Sequence, residues 1–117
     1  MAYVDGFVVP VPKDQVQVYK EKARIAGEVW KSHGALSYVE CVADDVPYGE
    51  LTSFPRAVQV KPEETVVFSW ITYESRQQRD AINAKVMADP RLKEMFKEMP
   101  IDGKRMIFGG FEMLFSM

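Results

Sequence analysis

The chain's single histidine and single cysteine, His33 and Cys41, lie in one short stretch, WKSHGALSYVEC. An imidazole and a thiol are the raw material of a nucleophilic dyad. Their setting argues against one. A helix ending near His33 and a strand starting at Ala35 put Cys41 about six strand residues onward, roughly 20 Å away at ~3.3 Å per residue. Cys41 on an alternating strand then reads as a small buried hydrophobe. His33 reads as a helix C-terminal cap, where the dipole favours an imidazolium. The functional alternative is a lone acid–base histidine at the mouth of a barrel.

Other cofactor chemistry finds little to use. A haem needs an axial ligand, and His33 is the only imidazole. Asp44 and Asp45 are adjacent and diverge on an extended chain, and DDVPYGE lacks EF-hand spacing. There is no phosphate loop, no GxSxG and no zinc spacing. No cofactor and no metal are expected. The best remaining chemistry is three carboxylates on aromatic strands, Asp5, Glu40 and Glu112. Desolvation there raises a carboxyl pKa toward the range useful for general acid–base work. The plainer role is an ion pair with Arg56, Arg105 or Lys104, or closure of a dimer.

The elements that position these groups follow from periodicity. AYVDGFVV alternates and predicts a strand over Tyr3–Val9, closed by Pro10 and Pro12. Val16, Tyr19, Ala23, Ala26, Trp30 and His33 then recur every three or four residues along one face of a helix, with Asp14 as N-cap and Gly34 as C′ glycine. ALSYVECVA predicts a second strand. Residues 44–64 carry Asp, Gly and three prolines and predict a long loop with a short extended piece at Ala57–Val60. SFPRAV within it is a candidate lid or clasp. TVVFSWITY is a third strand. A helix capped by Ser75 and Gln78 follows, and a shorter one is capped by Asp89, begun by Pro90 and ended by Pro100. RMIFGGFEMLF is the last strand. The order β-α-β-β-α-β predicts one α+β domain over residues 1–117, a ferredoxin-like plait with a four-stranded antiparallel sheet and its helices on one face.

Helices on one face leave the other bare. In the third strand Phe68 and Trp70 share one side, Val67 and Ile71 the other. With the aliphatic side toward the helices, Phe68 and Trp70 face outward. The same parity argument places Phe7 with Asp5, Tyr38 with Glu40, and Phe108 with Glu112 on that open side. So large an aromatic patch calls for a cover. A second copy of the sheet would make a homodimeric barrel. Single-stranded RNA is disfavoured, because the third strand lacks the glycine–aromatic signature and the surround is not basic. A pocket lined by Phe7, Tyr38, Phe68, Trp70 and Phe108 would suit a planar aromatic ligand, uncharged or weakly basic, because carboxylates repel anions. The competing reading is that these side chains interdigitate and leave no cavity.

Bulk composition sets outer bounds. The 15 Lys and Arg nearly balance 17 Asp and Glu, so no nucleic acid or anionic membrane partner is expected. The absence of a signal-like N-terminus and of a long apolar run points to the cytoplasm.

YVDGFVVPVPKD, VWKSHGALSYVECVADDVP, TSFPRAVQVKP, NAKVMADPRL and DGKRMIFGGFE together resemble the YbaA family of small bacterial proteins over essentially the whole chain. The resemblance implies the dimeric α/β-barrel superfamily, and it brings no catalytic residues, because the family's function is not established. Wider relatives include cofactor-free monooxygenases, haem-degrading enzymes, lactone isomerases and stress-responsive binding proteins. The haem-degrading barrels use an asparagine, a tryptophan and a histidine. Trp70 could stand for the tryptophan, but the helix after it has no histidine. Two function classes remain open: a cofactor-independent oxygenase or isomerase, and a non-catalytic structural or ligand-binding dimer.

Overall fold

A computed structural model describes residues 2–117. Four strands, β1 (Tyr3–Pro12), β2 (Ser37–Val42), β3 (Glu64–Tyr73) and β4 (Ile107–Glu112), form one sheet in the order β2-β3-β1-β4. All three pairings are antiparallel. The helices are α1 (Val16–Ser32), α2 (Phe54–Ala57), α3 (Arg76–Met87) and α4 (Pro90–Phe96). This is the ferredoxin-like plait expected from the sequence.

Several boundaries differ from the sequence reading, each for a local reason. β1 does not stop at its prolines but runs through Pro10 to Pro12, where only β3 still flanks it, since its pairing with β4 ends at Val8–Ile107. A missing N–H is tolerated where one side of a strand is free. Asp14 does not cap α1; a single 3-10 turn over Lys13–Gln15 leads into the helix, whose N-cap is Gln15. Gly34 does take the left-handed backbone past the helix end, with φ of 115°. In place of an extended piece at Ala57–Val60, residues 54–57 make one helical turn. Ser53 starts it by accepting from the Arg56 N–H at 3.1 Å. α3 opens as expected, with Ser75 Oγ accepting from the Gln78 N–H at 3.1 Å. α4 ends at Phe96, short of Pro100, and Glu98 then takes a φ of 60°.

The main core lies between the sheet and the helices. Tyr3, Ile71 and Tyr73 pack against Ala26, Val29, Trp30, Ile82, Val86, Leu92 and Met95. It continues through Val9, Val11 and Val67 against Tyr19 and Ala23. A small third cluster sits on the other face, where Val58 behind α2 packs on Val8 and Val66.

The register corrects half of the face assignment. Phe68 and Trp70 do point away from α1, α3 and α4, on the side where α2 lies: Phe54 meets Phe68 edge-on at 5.6 Å. Phe7, Tyr38 and Phe108, and with them Asp5, Glu40 and Glu112, belong to the opposite, helix-bearing side. Phe7 pairs with Ser69 and with Phe108, Tyr38 with Ile71, and Glu40 with Ser69. Directly opposed residues share a face, and Ser69 and Ile71 face the helices. β1 presents Tyr3, Asp5, Phe7, Val9 and Val11 inward as one parity. A one-residue difference in parity exchanges every side chain between faces.

Candidate functional site

β2 is an edge strand, and alternation brings Tyr38 and Glu40 together on its helix-bearing side. Across from them stands Tyr19, in the first half of α1. The Tyr19 hydroxyl donates to Glu40 Oε1 at 2.7 Å and the Tyr38 hydroxyl to Oε2 at 2.9 Å. Ser69 adds a third hydrogen bond to the carboxyl. Desolvation by the surrounding apolar side chains is the larger effect, and it holds the Glu40 pKa above the ordinary glutamate value despite those hydrogen bonds. Burial and the neighbouring Glu40 charge also raise the pKa of both tyrosines.

Glu40 forms part of the wall of a cavity of about 110 Å³ between sheet and helices. Phe7, Tyr19, Trp30, Tyr38, Ile71 and Phe96 supply most of the remaining wall, with Met95, Met99 and Met106 on the α4 side. Methionines are flexible and polarizable and adapt to differently shaped partners. No lysine or arginine lines this cavity, so Glu40 is its only carboxylate and its only group able to trade a proton near neutral pH.

Gly27 explains how Tyr38 reaches this position. A Cβ built on Gly27 would stand 2.8 Å from the Tyr38 ring, so the bare helix backbone is what lets the ring lie down. Glycine in a helix interior costs about 1 kcal/mol relative to alanine, which makes its presence here a packing requirement. Gly27→Ala is therefore expected to lose that propensity gain, to lower the unfolding midpoint by a few degrees and to displace Tyr38 from Glu40. Thermal unfolding and the tyrosine absorption spectrum check this; a more stable variant with an unchanged spectrum contradicts it.

The other candidates lie elsewhere. Phe108 stacks on Phe7 at 6.2 Å but stays 71% exposed on the edge strand β4. Glu112 is exposed at the end of that strand, opposite Tyr3. Asp5 is buried on the helix-bearing side, in a separate polar cluster with Arg79, Tyr73 and Asn83. Its ion partner is Arg79, not one of the expected cations. Arg105 binds Glu64 and Asp102 instead, and Arg56 lies over Tyr48, donating to the Tyr48 and Gly49 carbonyls. His33 caps α1, and its Nε2 sits 2.8 Å from Asp89 Oδ2, which ties the end of α1 to the start of α4. Asp89 also accepts from the Arg91 side chain, and these hydrogen bonds push its pKa well below the ordinary value. Cys41, expected to be buried, is exposed, because its parity puts it on the open face beside Phe68. His33 and Cys41 form no pair.

Tyr19, Trp30 and Gly27 escaped the sequence reading as site residues. A usable signal was present: a tyrosine inside an apolar helical stripe needs a partner for its hydroxyl, and Tyr38 and Glu40 are the paired polar ends on the facing strand.

The family model described as "Protein of unknown function (DUF1428)" matches residues 2–103. The chain belongs to the DUF1428 family. It is 56% identical over 112 residues to the uncharacterized protein YbaA of Escherichia coli K12, covering 96% of both chains, with the same figures for YbaA of Shigella flexneri. Among solved structures, DUF1428 shares its fold with a putative antibiotic biosynthesis monooxygenase from Nitrosomonas europaea. That match has a TM-score of 0.61 at 14% identity and covers 97% of this chain and 91% of that one. SnoaB from Streptomyces nogalater, a cofactor-independent oxygenase, gives 0.63 at 8% identity, with 99% and 96% covered. A NIPSNAP family protein from Agrobacterium tumefaciens gives 0.61 at 15%, with 96% and 92% covered. At such identities the likeness establishes the fold. No helix among the described residues is long and apolar enough to cross a membrane. The described residues also hold no group of three potential metal ligands.

Proposed function

We propose that this chain binds a small, uncharged ring in the cavity beneath α4 and that Glu40 exchanges a proton with it. The observation that carries the reading is a desolvated carboxyl, held by two tyrosine hydroxyls, in the wall of an otherwise apolar cavity. An engineered cavity of about 150 Å³ accepts benzene, so a space of this size takes one ring and excludes fused polycycles unless the α4 methionines give way. Removing a proton from a phenol or an enolisable ketone opens both isomerisation and cofactor-independent oxygenation. The structural neighbour described as a cofactor-independent oxygenase supports that class of chemistry, by fold alone.

Trp30 lines the cavity and Trp70 does not, so a Trp70→Phe variant leaves one tryptophan reporting on the site. Small phenols, quinols and lactones are expected to change its fluorescence saturably at micromolar to millimolar concentration. Glu40→Gln should keep ring binding within about threefold. It should also slow deuterium exchange at the acidic C–H of a bound cyclic ketone by roughly a hundredfold or more, the usual weight of a general base. A silent Trp30 across the whole panel would end the cavity reading, and unchanged exchange in Glu40→Gln would remove the acid–base role.

The open face favours a second statement about assembly. We infer that two copies pair through Phe68, Trp70 and their neighbours, forming the homodimeric barrel. The same face supports the non-catalytic reading, in which the dimer is structural; an empty cavity in the experiment above would leave that one standing. A reducing, cytoplasmic setting suits the single exposed Cys41.

A further inference from the structure

On the outer side of the Glu40 trio lies a second cavity, a half-open groove of about 420 Å³ between α1 and β2. Tyr19, Tyr38 and Glu40 line both spaces and form their common wall. The groove differs from the inner cavity in one respect that decides its chemistry: it carries two cations, Lys20 and Arg24. They stand one turn apart on the same face of α1. Neither joins an ion pair among the described residues, where His33, Arg76, Arg79, Arg91, Lys97 and Arg105 are the cations engaged. Lys31, farther along the stripe, is spent on the Leu36 carbonyl at 2.8 Å. Glu40 is the only carboxylate lining the groove, and Glu28 lines the next hollow along α1 together with Arg24.

We propose that this groove binds the carboxylate of a ligand whose ring fills the inner cavity, so that the ligand class is a small aryl carboxylic acid. The proposal rests on the ring-binding reading above and extends it. The two spaces fix the orientation. A cavity with apolar walls, one desolvated carboxyl and no cation rejects an anion, and the groove offers two unengaged cations to receive it. A carboxylate fits better than a phosphate. Lys20 and Arg24 lie in the interior of α1, whose amides are consumed by the helix, so there is no nest of free N–H groups of the kind phosphates occupy. An arginine fork beside a lysine is sufficient for a carboxylate. A ligand spanning both spaces passes the trio, which sets the atom joining ring to acid beside Glu40.

Calorimetry with two probes, 4-methylphenol and 3-(4-hydroxyphenyl)propionate, tests this on the wild-type chain and on Lys20→Ala/Arg24→Ala. Both side chains are exposed and alanine favours the helix, so the variant is expected to fold; Lys20→Gln/Arg24→Gln and a titration in 0.5 M salt, about the strength at which exposed pairs are screened, serve as independent versions. The acid should bind about five- to tenfold more tightly than the phenol at low salt, the weight of two solvent-exposed ion pairs. That advantage should vanish in either double variant and in salt, with the phenol's affinity unchanged. An acid that binds no better than the phenol, or an advantage that survives both variants, overturns the proposal and leaves ring binding intact. If neither probe binds, the anion site and the ring cavity fall together.

Discussion

Trp70→Asp is expected to convert a particle of twice 13.4 kDa into one of 13.4 kDa at micromolar concentration. The reason is the composition of the open face. Phe68 remains 41% exposed there even with Phe54 against its edge, and Phe111, on the neighbouring edge strand, is 62% exposed. Between them the sheet is nearly bare, because Gly6 and Gly109 are the residues beside Trp70 in that row. The Phe111 ring occupies the space their absent side chains leave, so FGGF builds the patch rather than interrupting it. Val39 and Cys41 extend it along β2. A monomer seldom leaves a contiguous apolar surface of this kind in water. A carboxylate at its centre would be buried without a partner on assembly, and losses at central aromatic anchors commonly reach 2–4 kcal/mol, or a thirty- to thousandfold weakening. The face looks away from the α1–β2 groove and the Glu40 cavity, so a folded, monomeric Trp70→Asp should keep its affinity for a ring. Light scattering decides the matter. A wild-type mass near 13.4 kDa would remove the dimer, and a Trp70→Asp protein that still runs at twice that mass would place the interface elsewhere.

Arg79→Met should destabilise the fold by about 3 kcal/mol at neutral pH, the lower end of the cost of leaving a buried charge without its partner. Asp5 is only 7% exposed, and Arg79, reaching across from α3, is the sole cation beside it, with Nε 3.5 Å from Oδ1. Arg79 also donates to the Tyr3 hydroxyl at 3.0 Å, and the absence of a Cβ at Gly110 gives both groups their room. The dependence on pH tests the cause. Burial already raises the Asp5 pKa, and Arg79 is the largest influence opposing that rise. Without the guanidinium the folded-state pKa climbs further above the unfolded value of about 3.9. A raised carboxyl pKa means that the folded state holds the proton more tightly, so the related stability is present at low pH and lost as pH rises through the folded value. The Arg79→Met deficit should therefore be largest at neutral pH and shrink as pH falls toward 4, where Asp5 becomes neutral. Denaturant unfolding at several pH values measures it. A deficit independent of pH would mean that the loss comes from packing and the Tyr3 hydrogen bond, not from the stranded charge.

Both of these expectations depend on which side of the sheet a residue occupies, and that is where sequence and structure part. The plait itself is written in local signals: period-two strands, the three-and-four spacing of α1, the Ser75 cap, and the Asp89–Pro90 start of α4. Each is a property of neighbouring residues and survives without knowledge of the rest. The outward aspect of Phe68 and Trp70 was legible too, because β3 separates aromatic from aliphatic residues cleanly. β1, β2 and β4 do not. Phe7, Tyr38 and Phe108 alternate as regularly on either assignment, and only hydrogen-bonded register against β3 settles their side. That register turned a single imagined pocket into two surfaces: an aromatic face of Phe68, Trp70 and Phe111, and a helix-covered cavity holding Phe7, Tyr38 and Glu40. The same contacts decided which carboxylate matters. Glu112 is exposed and Asp5 is matched by Arg79, whereas Glu40 lines the cavity. Its neighbours Tyr19 and Tyr38 come from elements twenty residues apart, and no spacing within either element could announce that their hydroxyls meet on one carboxyl. The elements were local and readable. The site is a relation between elements, and only their packing makes it.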